Sequence, residues 1–388
     1  MSVLGLRLIF ALEQEAKITL RGTIRTRMLR AGLVGLPSSG KTTLFQLLTS
    51  AREAPRSHGK AEANVGVSRV ADERLDRLSA MFDPKKRTPA TVEFADMAAA
   101  PSAQGSAALL DVVAYRNADA LLHVVRTFDD PSVPHPKGSI DARRDAQTIE
   151  EEFILADLGV VERRLERLEK DLKKLPTPDL KKEYDLLIQC RATLDEGRAL
   201  RTLGLATEDA RRLRGFQFLS AKPLLLVINL DERNVADAEH AAEKHGLAAW
   251  IAETGAAAVG VCAKIELEIA QLDRGDADAF MADLGLQQSG LDRVIRAAYG
   301  LLGYISFFTV GEDECRAWSI PRNTPAPRAA GAIHSDIERG FIRAEVVPCE
   351  TLLSRGSLAA CRDHGELRLE GKEYIVLDGD VINFRHAT

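Results

Sequence analysis

The sequence predicts an α/β protein: a mainly parallel sheet covered on both faces, interrupted by a pair of long helices and followed by a smaller β-rich module. Three observations carry this expectation. Near-continuous apolar runs, Ala31-Gly32-Leu33-Val34, Ala120-Leu121-Leu122-His123-Val124-Val125 and Pro223-Leu224-Leu225-Leu226-Val227-Ile228-Asn229, alternate with helix-like stretches, the pattern of strands buried on both sides. A heptad seam runs through residues 145–175. From about Tyr304 the chain breaks into short strand-like pieces such as Ala317-Trp318-Ser319-Ile320 and Tyr374-Ile375-Val376-Leu377.

The first strand leads straight into Gly35-Leu36-Pro37-Ser38-Ser39-Gly40-Lys41-Thr42, and the apolar Thr43-Leu44-Phe45-Gln46-Leu47-Leu48 continues as a helix. Glycine at both ends lets the backbone curl so that successive N–H groups point inward. A lysine then reaches the outer phosphates and a hydroxyl ligates Mg²⁺. Amides at the helix N-terminus complete the anion site. The expected phosphate contacts are Gly35, Pro37, Ser38, Ser39, Gly40, Lys41, Thr42 and Thr43. This pattern predicts a nucleoside triphosphate as ligand.

Ligands of parallel sheets bind at the carboxyl ends of strands, and two more candidates fall there. Asp96 closes Ala90-Thr91-Val92-Glu93-Phe94-Ala95-Asp96, where a second carboxylate would hold Mg²⁺ beside Thr42. Asn229-Leu230-Asp231-Glu232 and Val261-Cys262-Ala263-Lys264 are the expected base-binding segments. GTPases usually carry Asn-Lys-x-Asp here, the aspartate accepting from guanine N1 and N2. Glu232 is one methylene longer and Leu230 replaces the lysine. A hydrogen bond to a charged group is worth about 1.5–3 kcal/mol, so its loss removes about one to two decades of guanine preference. Asp231 could substitute after a one-residue shift, which leaves the base open at this level.

The seam residues Ile154, Leu158, Val161, Leu165, Leu168, Leu172 and Leu175 step by four and three. Pro176-Thr177-Pro178 ends that helix, and Leu180, Tyr184, Leu187 and Leu194 start a second one, so an antiparallel hairpin is expected. Its lysines and arginines are interleaved with acids, which fits a solvated face; contact with RNA or the ribosome is the sharper reading.

The formal charge of −5 excludes strong whole-chain attraction to nucleic acid, and 45% apolar content allows proper cores in 388 residues. Five cysteines with no CxxC pair suit a reducing, cytoplasmic setting. No run is long enough for a membrane span. Residues 1–27 read as a loose extension upstream of Met28.

With these motifs in order, the chain from about Met28 resembles the YchF subfamily of Obg-like P-loop NTPases. The resemblance is carried by Gly32-Leu33-Val34-Gly35-Leu36-Pro37, Asn64-Val65-Gly66-Val67, Val92-Glu93-Phe94, His123-Val124-Val125-Arg126, Cys262-Ala263-Lys264-Ile265-Glu266 and Ala282-Asp283-Leu284-Gly285-Leu286. Its C-terminal piece, with His334-Ser335-Asp336 and Gly340-Phe341-Ile342-Arg343-Ala344-Glu345-Val346, is similar to that family's TGS domain. The resemblance implies a Ras-like P-loop NTPase domain over 29–138 and 217–303, a helical insertion over 139–216 and a β-grasp-like TGS domain over 304–388, after an extension over 1–28. It also implies Mg²⁺-dependent hydrolysis favouring ATP over GTP, association with ribosomes or rRNA through the hairpin and TGS domain, and a monomer in the cytoplasm.

Departures from the family pattern bear on turnover. The switch I threonine aligns with Lys60, the Asp-x-x-Gly glycine with Ala99, and the asparagine tied to potassium activation with Ser38, which puts potassium dependence in doubt. The family's water-orienting histidine corresponds to His135 in Pro134-His135-Pro136, with Gln104 as a second candidate. Three readings follow: a slow Mg²⁺-dependent ATPase switch, a conventional GTPase switch, and a nucleotide-binding scaffold with weak hydrolysis.

Overall fold

The computed structural model describes residues 30–49, 64–96 and 114–387. The N-terminal extension and the switch positions Lys60, Ala99 and Gln104 lie outside the described residues.

In chain order the elements that position the site begin with β1 (Arg30–Val34) and α1 (Lys41–Thr49). Then come β2 (Asn64–Arg69), α2 (Glu73–Phe82), β3 (Lys86–Thr88), β4 (Thr91–Asp96) and β5 (Ala120–Arg126). Two long helices, α3 (Ala142–Lys174) and α4 (Pro178–Asp195), precede β6 (Leu224–Asn229), β7 (Ala257–Val261), α5 (Ala263–Ile269) and α6 (Gly290–Leu301). The last part holds β8 (Tyr304–Thr309), β9 (Glu314–Pro321), α7 (Ala326–Ile333), β10 (Phe341–Pro348), β11 (Arg368–Glu370) and β12 (Asp380–His386).

The first sheet has the order β2-β4-β1-β5-β6-β7, and β4, β1, β5, β6 and β7 pair in parallel. Every residue of β5 and β6 is buried, which is why these strands read as unbroken apolar runs. Their register sets Leu33 beside Asp96, and Arg126 beside Asn229 beside Val261. The carboxyl ends of five strands therefore meet along one edge.

Between β5 and β6 the chain forms the helical hairpin. Asp141 caps α3 by accepting from the Arg144 N–H, and Thr177 with Pro178 starts α4. Only residues 175–177 link the two helices, so they run antiparallel, and Arg164 Nε donating to Glu183 at 2.7 Å and Tyr184 Oη to Glu169 at 3.3 Å join their facing surfaces. Ile154, Val161, Leu165 and Leu168 pack with Leu186, Leu187, Cys190 and Leu194. The expected seam does not persist to the tip: Leu172 is half-buried and Leu175 is 68% exposed. The helix stops at Lys174, which leaves Leu175 in the turn beyond it. At the other end Asp157, fully buried, accepts from Leu219 N at 3.0 Å, Ser220 N at 2.7 Å and Ser220 Oγ at 2.8 Å, fixing the chain's return to β6.

The second sheet has the order β11-β10-β12-β8-β9-β3, with β8 and β12 parallel and the hairpin pairs antiparallel. It curls over α7, burying Ala326, Ala329 and Ala330 against Ile305, Phe307, Ile320, Val346 and Phe384, the β-grasp-like arrangement expected. Contacts group Arg69–Thr91 with Gly303–Thr388 in one compact unit and the remaining described residues in another. The boundaries drawn from sequence assign 69–91 to the nucleotide domain; instead β3 adds a parallel edge beside β9, and Arg74 binds Asp378 at 2.8 Å. None of the described helices is long and apolar enough to cross a membrane.

Candidate nucleotide-binding site

The phosphate loop follows β1. Gly35 and Gly40 have φ of 151° and 94°, and Ser38 also sits at φ 62°. A side chain at Gly35 would meet the Val124 carbonyl, and one at Gly40 would meet the Asn229 amide, so both positions need glycine on steric grounds as well. Leu44 N donates to Gly40 O at 2.9 Å, starting α1 directly behind the loop. Lys41 Nζ bridges Gly35 O at 2.9 Å and Leu36 O at 2.7 Å, which holds the ammonium over the curled backbone. Burial lowers its pKa and the nearby Asp96 carboxylate offsets part of that. Pro37 and Ser38 are exposed, whereas Ser39 is buried with its hydroxyl lacking a hydrogen-bond partner among the described residues.

Asn229 is the junction of the site. Its Nδ2 donates to Ser39 O at 3.0 Å and its Oδ1 accepts from Ala263 N at 3.1 Å, so one buried amide ties the phosphate loop to the first turn of α5. Both ends of the amide are thereby engaged within the protein.

Beside this junction lies a cavity of about 460 Å³. It brings together Gly40, Thr43, Asn229, Leu230, Glu232, Cys262, Ala263 and Lys264, all expected from the sequence. Phe128, Asp129, Asp130, Pro131, Asp231 and Leu267 complete the lining. Of these, Phe128 to Pro131 and Leu267 were not expected; for the first four the available signal was their position after the carboxyl end of a fully buried strand. Leu230 is buried beneath the cavity and donates its N–H to Val261 O at 2.7 Å. Glu232 forms an ion pair with Lys264, joining the two base segments. Asp231 turns instead to Arg233, accepting from its Nε at 2.9 Å and its N–H at 3.1 Å. These bonds hold the Asp231 carboxyl down at about 2. Burial raises the Cys262 thiol pKa, so this cysteine is a packing residue rather than a nucleophile.

Thr42 stands exposed at the start of α1, and Asp96 is buried at the end of β4. Burial raises the Asp96 carboxyl, with Lys41 opposing. A hydroxyl and a carboxylate are hard oxygen donors of the kind Mg²⁺ takes, so the residues present fit that ion.

His135 is not the solvent-facing loop histidine that a lone histidine suggests: its side chain is 5% exposed. Nε2 lies 2.9 Å from Asp145 Oδ2, too poorly aligned for a full hydrogen bond, and Nδ1 accepts from Lys137 N at 3.2 Å. It does not line the cavity. His123, by contrast, sits wholly inside the sheet with neither ring nitrogen hydrogen-bonded among the described residues.

A phosphate loop, a strand-end carboxylate and an asparagine junction on this sheet define a P-loop NTPase. Residues 304–387 match the family model YchF-GTPase_C, described as a protein of unknown function (DUF933). The Bacillus subtilis (strain 168) protein called Ribosome-binding ATPase YchF is 40% identical over 362 residues, covering 92% of this chain and 99% of that one. Obg-like ATPase 1 of Caenorhabditis elegans is 34% identical over 381 residues, covering 96% and 95%. The solved structure of the Schizosaccharomyces pombe YchF GTPase superimposes with a TM-score of 0.80 at 28% identity, covering 94% of this chain and all of that one. The chain belongs to the YchF family.

Proposed function

We propose that this protein is a slow Mg²⁺-dependent ATPase, using GTP less well, whose nucleotide state alters its engagement with the ribosome. The observation that carries the base preference is the state of the two carboxylates that follow Asn229, those of Asp231 and Glu232. Glu232 is paired with Lys264 and Asp231 with Arg233. Neither is free to accept from guanine N1 and N2, the contact on which guanine selection depends, whereas adenine needs no carboxylate there.

In this reading Gly35, Pro37, Ser38, Ser39, Gly40 and Thr43 cradle the phosphates, and Lys41 neutralises the outer oxygens. Asn229, Leu230, Cys262 and Ala263 shape the base site. Thr42 and Asp96 would hold Mg²⁺, which when bound supplies charge neutralisation across the outer phosphates. His135 remains a candidate water-positioning group, held by Asp145 and Lys137. Ser38 in place of asparagine speaks against potassium activation.

Ribosome engagement is supported by the relatives named for ribosome binding, and we assign it to the helical hairpin and C-terminal module of a cytoplasmic monomer. Single-turnover hydrolysis of ATP and GTP against a Lys41→Ala control, with and without EDTA, tests the enzyme. EDTA-sensitive ATP turnover above the control supports the proposal; turnover equal to the control leaves a binding scaffold. Pelleting with ribosomes in ADP or a non-hydrolysable ATP analogue tests the switch, and equal pelleting in both would contradict it.

A further inference from the structure

We infer that Arg126 is a positioning residue for the base: it holds in place the wall of the nucleotide cavity formed by residues 128–131. This rests on reading the cavity as a purine site.

Arg126 ends β5 and is only 2% exposed, and the carboxylate of Asp130 in the following loop acts on it through charge alone. Its guanidinium instead donates to three carbonyls of the following loop: Nε to Phe128 O at 3.0 Å, Nη1 to Val133 O at 2.8 Å and Nη2 to Asp130 O at 3.4 Å. The Phe128 ring covers it, with 4.5 Å between the guanidinium carbon and the ring centroid. A buried cation held by carbonyls and a ring of one loop fixes the path of that loop. None of the three carbonyls belongs to a strand or helix; that of Asp130 also accepts from Val133 N at 3.0 Å, closing a turn within the loop.

The loop so fixed is the one that supplies Phe128, Asp129, Asp130 and Pro131 to the cavity. Its first residue is pinned as well. Thr127 donates both N–H and Oγ1 to Asn229 O, at 3.0 and 2.9 Å, and Asn229 is the residue whose amide joins the phosphate loop to α5. Arg126 itself does not line the cavity, so its effect on ligand passes through the wall. A lysine would keep the charge but not the planar fork that reaches three separate carbonyls.

The test separates base from phosphate. Binding of a non-hydrolysable ATP analogue and of inorganic tripolyphosphate is measured calorimetrically for wild type, Arg126→Lys, Arg126→Gln and Phe128→Ala. With one or two charge-assisted bonds lost, Arg126→Lys should weaken the ATP analogue roughly tenfold and leave tripolyphosphate within about twofold. Phe128→Ala, which removes a ring that lines the cavity, should show the same split directly, and Arg126→Gln, which keeps a donor of similar reach, decides the matter where Arg126→Lys does not fold. Unchanged affinity for the ATP analogue in any folded variant, or equal loss for both ligands, overturns the inference. Wild type that binds tripolyphosphate as tightly as the ATP analogue would sink the purine reading too. A wild-type preference for a GTP analogue would overturn only the choice of base.

Discussion

Asn229 and Ser39, 190 residues apart in sequence, are joined by a buried hydrogen bond of 3.0 Å from the Asn229 side-chain amide to the Ser39 carbonyl. The same amide accepts from Ala263 N, so phosphate and base halves of the site share one support. Asn229→Ala would leave two buried main-chain groups without partners, each worth about 1–3 kcal/mol. Nucleotide affinity should fall by roughly one to two decades, for ATP and GTP analogues alike, in a calorimetric titration. A loss confined to GTP would mean that Asn229 contacts guanine instead of supporting the loops.

The Glu232–Lys264 pair predicts a change in selectivity rather than in overall affinity. Combining Lys264→Ala with Glu232→Asp removes the cation that occupies the carboxylate and shortens the side chain to the length GTPases use. The ratio of ATP to GTP affinity should fall by roughly tenfold, the worth of one hydrogen bond to a charged group. Competition of the two nucleotides for wild type and variant measures it, and an unchanged ratio would show that Glu232 has no part in base choice.

His123 gives the fold a pH dependence of known sign. Burial, with Lys41 and Arg201 adding repulsion, pushes its imidazole from the ordinary 6.5 down to about 3. The unfolded chain takes up a proton below about 6.5 while the folded chain resists it until about 3, so this contribution is whole above 6.5. It is lost as the pH falls, at up to roughly 1.4 kcal/mol per unit. His123→Leu should flatten the melting temperature between about pH 6 and 4 relative to wild type. Parallel curves would contradict the buried neutral ring.

Asp157 anchors the hairpin's return through three hydrogen bonds. Asp157→Ala strands the Leu219 and Ser220 amides in the core and should lower unfolding stability by about 2–4 kcal/mol in urea titration. A variant within about 0.5 kcal/mol of wild type would place the support elsewhere.

Much of the site was legible because its signals are local. Gly35 to Thr42 form one continuous segment whose spacing encodes the curl and the helix start, and Asn229 announces itself at the end of a buried strand. The hairpin was visible as far as Leu168, but a heptad pattern does not tell where the partner helix ends, so Leu175 was overextended. What sequence could not display was tertiary choice. The three-residue strand Lys86–Thr88 has no apolar alternation to reveal that it joins the C-terminal sheet. His135 is buried by Asp145, which lies on another element. Arg126 looks like an ordinary strand-end cation until the loop carbonyls wrap around it. Asp231 was weighed as a stand-in base contact, and only its bonds to Arg233 reveal where its carboxylate points.

The central claim, that this cleft grips a triphosphate and prefers adenine because Asp231 and Glu232 are both engaged by cations of their own, is tested most directly by calorimetry of the intact protein. Non-hydrolysable ATP and GTP analogues are titrated with and without Mg²⁺. The account predicts tighter binding of the ATP analogue, strengthened by Mg²⁺ and lost in Lys41→Ala. Equal or tighter binding of the GTP analogue, or binding indifferent to Mg²⁺ and to Lys41, would contradict it.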